Sequence, residues 1–304
     1  MNEEKLFTLP DQSWAKLCAH QLGGFRYKWH GDACEFDVVL KGNAEFTVDG
    51  RLFKLDEDDV IFIDPGLGHG SLSFVPSSVA LVVHVARSAL TLDGSRRISF
   101  EHEATDANSR MSAPFRLLRR LAARMLLEAD EADAPTKELY LRELLHHLRR
   151  LPCARVVDNG GADDASADAL RRITGYVDEH YASKLSLEEI AAYAQYSRTY
   201  LSTFFKNKTG MNLHEYLTRV RFRHALFELT ATDKSLTDIA GDNGFSSLDT
   251  FNRRFRETYH LLPSEYRRRM SPELVVPTFG TRVFRSPQEP AVREKLIEYL
   301  NLSL

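Results

Sequence analysis

The stretch SLTDIAGDNGFSSLDTFNRRFRETYH, Ser235–His260, decides the fold of the C-terminal third of the chain. Ser235 with Asp238 marks a helix start, and Ile239-Ala240 gives that helix a short apolar stripe. Gly244-Phe245-Ser246 then breaks it, and Leu248, Phe251 and Phe255 recur at the spacing of a second helix. The small Ala240 lets the second helix cross closely, which is the packing requirement of a helix-turn-helix. The stretch LSLEEIAAYAQYSRTYLSTFFKNKTG, Leu185–Gly210, repeats the pattern. Ser186 with Glu189 spells a capping box. Ile190, Ala191 and Ala194 make the stripe, Tyr196-Ser197 the turn, and Tyr200, Leu201, Phe204 and Phe205 the inward face of the following helix. Ser197 and Ser246 are the expected N-caps.

Sorting the inward positions leaves two polar faces. The first carries Arg198, Thr199, Ser202, Thr203 and Lys206, and the second Ser247, Asp249, Thr250, Asn252, Arg253 and Arg256. Arg pairs bidentately with guanine and Asn with adenine, while Ser, Thr and Lys reach phosphates. Any amphipathic helix has a polar face, but here the whole unit occurs twice. Between the copies, Asn212–Ala231 has the apolar periodicity of one long helix, roughly 30 Å at 1.5 Å per residue. Successive major-groove segments on one DNA face lie about 34 Å apart. Residues 197–269 hold thirteen Lys/Arg against eight Asp/Glu, which leaves the rest of this −3 chain at −8. A mildly basic module on an acidic chain fits double-stranded DNA as a partner.

Residues from about 171 to 269 resemble the DNA-binding domain of the AraC/XylS family of bacterial transcription regulators. The resemblance rests on Ile239-Ala240, Gly244-Phe245, Ser247, Phe251, Phe255, Arg256, Pro263 and Tyr266-Arg267. Two positions depart from the family pattern: His260 replaces the usual Gly, and Leu262 the usual Ser or Thr. His260 is therefore expected in a left-handed backbone conformation.

The front of the chain reads as strands. Phe36, Val38 and Leu40 alternate with Asp37, Val39 and Lys41, and Asp49-Gly50 signals a tight hairpin. Val60–Ile63 and Val79–Val85 read as short buried strands, so the whole suggests a barrel or sandwich. The segment resembles the cupin-type sensor domain common at the N-terminus of this family. His30, Glu35 and Gly42 resemble a first cupin motif, and Pro65-Gly66 with His69 a second; Lys28 stands where a metal-binding cupin has its first His. Alternation puts Glu35, Asp37 and Val39 on one face. Candidate effector contacts are Arg26, Trp29, His30, Glu35, Asp37 and His69. The metal set His30, Glu35 and His69 is one ligand short, though two His and one carboxylate can form a facial triad; the favoured reading is a polar effector pocket with no cofactor, and a third is a structural role with His69 capping a turn. The resemblance implies a small-molecule effector, often a sugar, and Trp29 beside polar groups suits one.

After Pro114 the period changes. Phe115, Leu118, Leu121 and Met125, then Leu141, Leu144, Leu145 and Leu148, read as a helical hairpin that packs on the barrel or on a second chain, the latter giving a homodimer. Asp158–Ala167 reads as the interdomain linker. The expected organisation is α+β and multidomain: a cupin-like β-barrel effector domain over 1–105, a helical hairpin and linker over 106–168, an all-α double helix-turn-helix over 169–270, and a tail over 271–304 with a last helix from Ala291 to Leu300. Cys18, Cys34 and Cys153 are scattered without zinc spacing, the N-terminus is unlike a signal peptide, and no apolar run reaches membrane-span length. The expected protein is a cytoplasmic, effector-controlled transcription regulator and not an enzyme. The alternative is a metal-dependent cupin enzyme with an appended helical domain.

Overall fold

The computed structural model describes residues 4–22, 26–73, 75, 77–101, 103–159, 164–269 and 284–303. Nine strands come first: β1 (Lys5–Thr8), β2 (Trp14–Gln21), β3 (Arg26–Lys28), β4 (Ala33–Lys41), β5 (Asn43–Val48), β6 (Arg51–Asp56), β7 (Val60–Ile63), β8 (His69–Leu72) and β9 (Val79–Ala86). They pair antiparallel in the orders β1-β2-β9-β4-β7 and β3-β8-β5-β6, so among the described residues the barrel is two separate sheets and not a closed ring of ladders. The β5–β6 turn is made by Asp49 (φ 41°) and Gly50 (φ 81°), the two positive angles that the Asp-Gly pair foretells.

β4 shows how the sequence makes two faces. Phe36, Val38 and Leu40 point away from the barrel interior into a core shared with helices, while Val39 points inward with Ile61, Ile63, Ala80 and Val82. Period-two alternation carries Glu35 and Asp37 inward with Val39. Each large apolar side chain buried this fully contributes about 1.5–3 kcal/mol.

The chain continues through α1 (Arg87–Leu90) and β10 (Arg96–Ser99), then the hairpin α2 (Ala113–Glu128) and α3 (Ala134–Leu148), and β11 (Arg155–Asp158), which pairs with β10. Leu118, Leu121 and Met125 of α2 and Leu141, Leu144 and Leu148 of α3 join the outer-face core of the barrel. Of the two arrangements expected for this stripe, packing on the barrel and packing on a second chain, the structure shows the first. The buried Arg119 guanidinium donates to the carbonyls of Asp58 (2.8 Å) and Arg110 (2.7 Å), tying α2 to the β6–β7 turn.

Residues 160–163 of the expected linker lie outside the described residues, and α4 (Asp164–His180) begins directly after them. The helical module follows: α5 (Leu187–Ala194), α6 (Arg198–Thr209), α7 (Leu213–Ala231), α8 (Leu236–Asp242), α9 (Leu248–Tyr259) and α10 (Pro263–Arg269). Central α7 starts on an Asn212 side-chain cap and buries Tyr216, Val220, Phe222, Ala225 and Leu229. His260 closes α9 with φ 56° and ψ 19°, the left-handed conformation expected where Gly is replaced. The tail returns to the front of the chain. β12 (Phe284–Arg285) pairs with β2, and α11 (Pro290–Leu300) puts Val292, Leu296 and Tyr299 into the outer-face core. The Tyr299 hydroxyl donates to Asp58 at 2.7 Å.

Candidate functional site

The two helix-turn-helix units are built by local chemistry. Ser186 accepts from the Glu189 backbone N–H and Glu189 reaches back to Ser186 N–H, completing the capping box of α5. Ser197 caps α6 and Ser235 caps α8 by accepting from the residue three positions on. The cap of α9 is Ser247 and not Ser246. Ser247 is the last extended residue before Leu248, and its hydroxyl accepts from Thr250 N–H at 3.1 Å.

On α6, Arg198, Thr199, Ser202, Thr203 and Lys206 are all exposed. On α9, Ser247, Asp249, Arg253 and Arg256 are exposed, while Thr250 and Asn252 are half-buried. Arg198 meets Glu188 at 2.8 Å, a surface pair of small net worth that a phosphate can replace. Tyr200 departs from its inward assignment: it is 53% exposed and lies against Phe204 and Tyr196. Leu201, Phe204 and Phe205 already fill the inner face, and position 200 falls on its flank.

The barrel gathers a second constellation around Glu35, which is fully buried. Cross-strand register places Lys28 opposite His69 and Glu35 opposite His84. Lys28 Nζ donates to both carboxylate oxygens, at 2.8 and 3.1 Å. His84 Nε2 lies 2.9 Å from Oε2, His30 Nε2 2.9 Å from Oε2, and His69 Nε2 3.5 Å from Oε1. Burial alone raises the Glu35 carboxyl, but the Lys28 charge and then His69 and His30 overrule it and hold the group well below the usual range. Burial pushes the His69 ring down, against the pull of the Glu35 carboxylate. Its Nδ1 sits 3.1 Å from the Leu67 carbonyl, which can only accept, so Nδ1 carries a proton.

The structure thus brings His30, Glu35 and His69 together. Asp37 is buried one inward step along β4, opposite Ile61 and Val82. Trp29 packs on Tyr27 (5.1 Å between ring centres), against Gly68 and on the Arg171 guanidinium (5.7 Å), so it touches both the barrel and the helical module. The Arg26 side chain lies outside the described residues. His84 was missed; its one signal is a polar residue inside the otherwise apolar VVHV of β9. The donor set of three imidazoles and a carboxylate fits a transition-metal ion, since the His30 and His69 Nε2 atoms are buried without a hydrogen-bond partner among the described residues.

β3 joins the two constellations. Lys28 faces Glu35, and its neighbour Tyr27 faces the helical module. The Tyr27 hydroxyl lies 3.0 Å from two carbonyls, Gly68 beside His69 and Lys208 in the last turn of α6. The β5–β6 tip abuts the same helix end. A Cβ on Gly50 would drive into the Asn207 carbonyl, and one on Gly210 into the Gly50 carbonyl. Glu45 of β5 and Arg219 of α7, both largely buried, lie 3.9 Å apart.

The Helix-turn-helix domain family matches residues 190–269 and the Cupin domain family residues 21–74. An uncharacterized HTH-type transcriptional regulator of Staphylococcus aureus (strain COL) is 30% identical over 151 residues, 50% of this chain and 20% of that protein. The chain therefore spans about a fifth of the length of the first curated relatives it matches. The regulatory protein SoxS of Salmonella typhimurium is 35% identical over 101 residues, 33% of this chain and 94% of SoxS. Among solved structures, the C-terminal domain of AraT, a response regulator from Geobacillus stearothermophilus, is 28% identical, covering 37% of this chain and 93% of that one with a TM-score of 0.33. With its helix-turn-helix pair and its likeness to nearly all of SoxS, the chain belongs to the AraC family of transcription regulators.

Proposed function

We propose that the chain is a sequence-specific DNA-binding transcription regulator, and that a small polar effector in the barrel controls how its two reading helices meet DNA. One observation carries the control: β3 presents Lys28 to the pocket and Tyr27 to the end of α6. A ligand that draws Lys28 or His69 toward itself acts on the strands that hold the first reading helix. The roles of the α6 and α9 faces follow from their exposure and chemistry. Lys28 and His30 form the part-exposed mouth of the pocket and offer donors to a hydroxylated ligand such as a sugar. A homodimer remains part of the proposal, though the α2–α3 stripe is already covered by the barrel. Among the described residues no helix is long and apolar enough to cross a membrane.

The test has two arms. Duplexes are selected from a random library with the intact chain, and Arg198→Ala and Arg253→Ala are each measured on the selected sequence. Both should lose affinity, and unchanged binding by both variants would remove the reading helices from the account. A thermal-shift screen of sugars and other small polar molecules should then give a hit that alters affinity for that duplex in the wild type but not in His69→Ala. A hit with equal effect in both would move the effector site elsewhere.

A further inference from the structure

We infer that a second ligand site lies outside the barrel, in the hollow between β7, the start of α2 and the start of β11, and that it takes a small zwitterion, an α-amino acid with a short apolar side chain. Glu103 meets the ammonium, Arg155 the carboxylate, and Phe62 with Phe115 the side chain. This goes beyond the effector reading and does not depend on it.

The hollow is a cavity of about 260 Å3, and its lining includes Phe62, Glu103, Thr105, Phe115, Cys153 and Arg155. Contacts between distant segments assemble it. Residues 103–105 run beside β7, where the Glu103 carbonyl accepts from Phe62 N–H at 2.9 Å and Thr105 N–H donates to the Val60 carbonyl at 2.8 Å. The β10–β11 ladder sets Arg155 opposite Ser99. The floor is aromatic. Phe62 stacks on Phe100 (4.6 Å between ring centres) and tilts against Phe115 (6.5 Å), and all three belong to the outer-face core. Drug-sized ligands occupy about 300–1,000 Å3, so this smaller space suits a molecule of amino-acid size.

The rim selects the charges. Neighbouring carbonyls hold the Arg155 guanidinium, whose Nη1 donates to Pro152 (2.7 Å) and Ala154 (3.1 Å). That leaves its Nε–Nη2 edge, which grips a carboxylate side-on through two parallel hydrogen bonds. Among the described residues neither Glu103 nor Arg155 forms an ion pair, although both line the same small cavity. A simple anion or cation would satisfy one of these charges and be repelled by the other, whereas a zwitterion satisfies both. Cys153 adds no third charge, because burial pushes its thiol up to about 11 and it stays protonated at neutral pH.

The intact chain is titrated by calorimetry with L-alanine, L-valine, L-leucine and L-proline, and the tightest of them is compared with its amine and carboxylate halves; for L-valine these are isobutylamine and isovalerate. One amino acid per chain is expected, and each half should bind at least about tenfold more weakly, since it forfeits one charge-assisted contact. Arg155→Gln and Glu103→Gln, both at exposed positions where folding is not at stake, should each weaken amino-acid binding by about tenfold or more. Cys153 reports occupancy directly. Cys18 and Cys34 are buried and Cys153 is half-buried, so iodoacetamide modifies the folded chain there first, and the bound amino acid should slow that reaction. Binding of none of the four amino acids, equal binding of either half, wild-type affinity in either variant, or binding that leaves Cys153 unprotected would each overturn the assignment.

Discussion

The barrel and the helical module are held by contacts of opposite range. In the module, the side-chain caps that start the helices join residues three apart: Ser186 with Glu189, Ser197 with Tyr200, Asn212 with Glu215. In the barrel, Glu35 takes its partners from seven and forty-nine residues away, across strands brought together only by folding. A reading surface built from local bonds is preformed and presents its polar face wherever the helix lies. A pocket built from distant strands exists only while the sheets hold their register, so a change in the pocket is a change in the sheets. The β3–β8–β5 edge that carries Lys28 and His69 also carries the tip on α6.

Acid should destabilise the module. Burial, reinforced by Arg223, pushes His224 down to about 3, and the Arg223 guanidinium donates to its Nε2, which only the neutral ring accepts. The ring also stacks on Tyr181. The unfolded chain takes this proton near the ordinary value of 6.5, while the folded chain resists down to about 3. Stability associated with His224 is therefore present above 6.5 and is lost as pH falls toward 3. Melting temperature against pH should show that slope in the wild type and a flatter one in His224→Gln; equal slopes would remove His224 as the cause.

Arg253→Ala should cost about 1–3 kcal/mol of duplex affinity, part of it confined to one base position. Binding isotherms on single-base variants of the selected duplex check this, and an unchanged base preference would make Arg253 a phosphate contact. The contact between the halves is probed by Gly210→Ala. The left-handed backbone alone costs about 1–2 kcal/mol with a side chain, and the new Cβ also meets the Gly50 carbonyl. Gly94 has a similar angle with nothing nearby, so Gly94→Ala gives the strain alone. Gly210→Ala should melt lower than Gly94→Ala; equal melting would mean the dock contributes nothing. Ser186→Ala, which removes one local cap, should cost about 1 kcal/mol. Tyr27→Phe should cost about 0.5–1.5 kcal/mol and speed amide exchange at the end of α6, whereas Ser186→Ala should leave exchange there unchanged.

The same difference in range explains what could be read from the sequence. Apolar periodicity, the capping box and the Asp49-Gly50 turn report on bonds within a few positions, and the helices and hairpin came out where those signals lie. The misplacements in the module are single steps: Ser247 caps α9 in place of Ser246, and Tyr200 falls on the flank of α6. In the barrel, His30, Glu35 and His69 were recognisable by motif spacing. His84 was not, because its proximity to Glu35 depends on the β4–β9 register, which no local pattern states. Trp29 lies between Gly68, beside His69, and the Arg171 guanidinium, a contact across the chain that no local pattern states. The dock of Gly50 on Gly210 had no sequence signal beyond two glycines, each already explained by its own turn.

The central claim is that one chain carries two DNA-reading helices set by α7 for successive grooves. Footprinting of the intact chain on a duplex selected from a random library tests it most directly. The account predicts two protected half-sites about 10–10.5 base pairs apart on one face, the first lost in Arg198→Ala and the second in Arg253→Ala. A single protected segment indifferent to one of these substitutions, or no protection beyond that of random competitor, would contradict it.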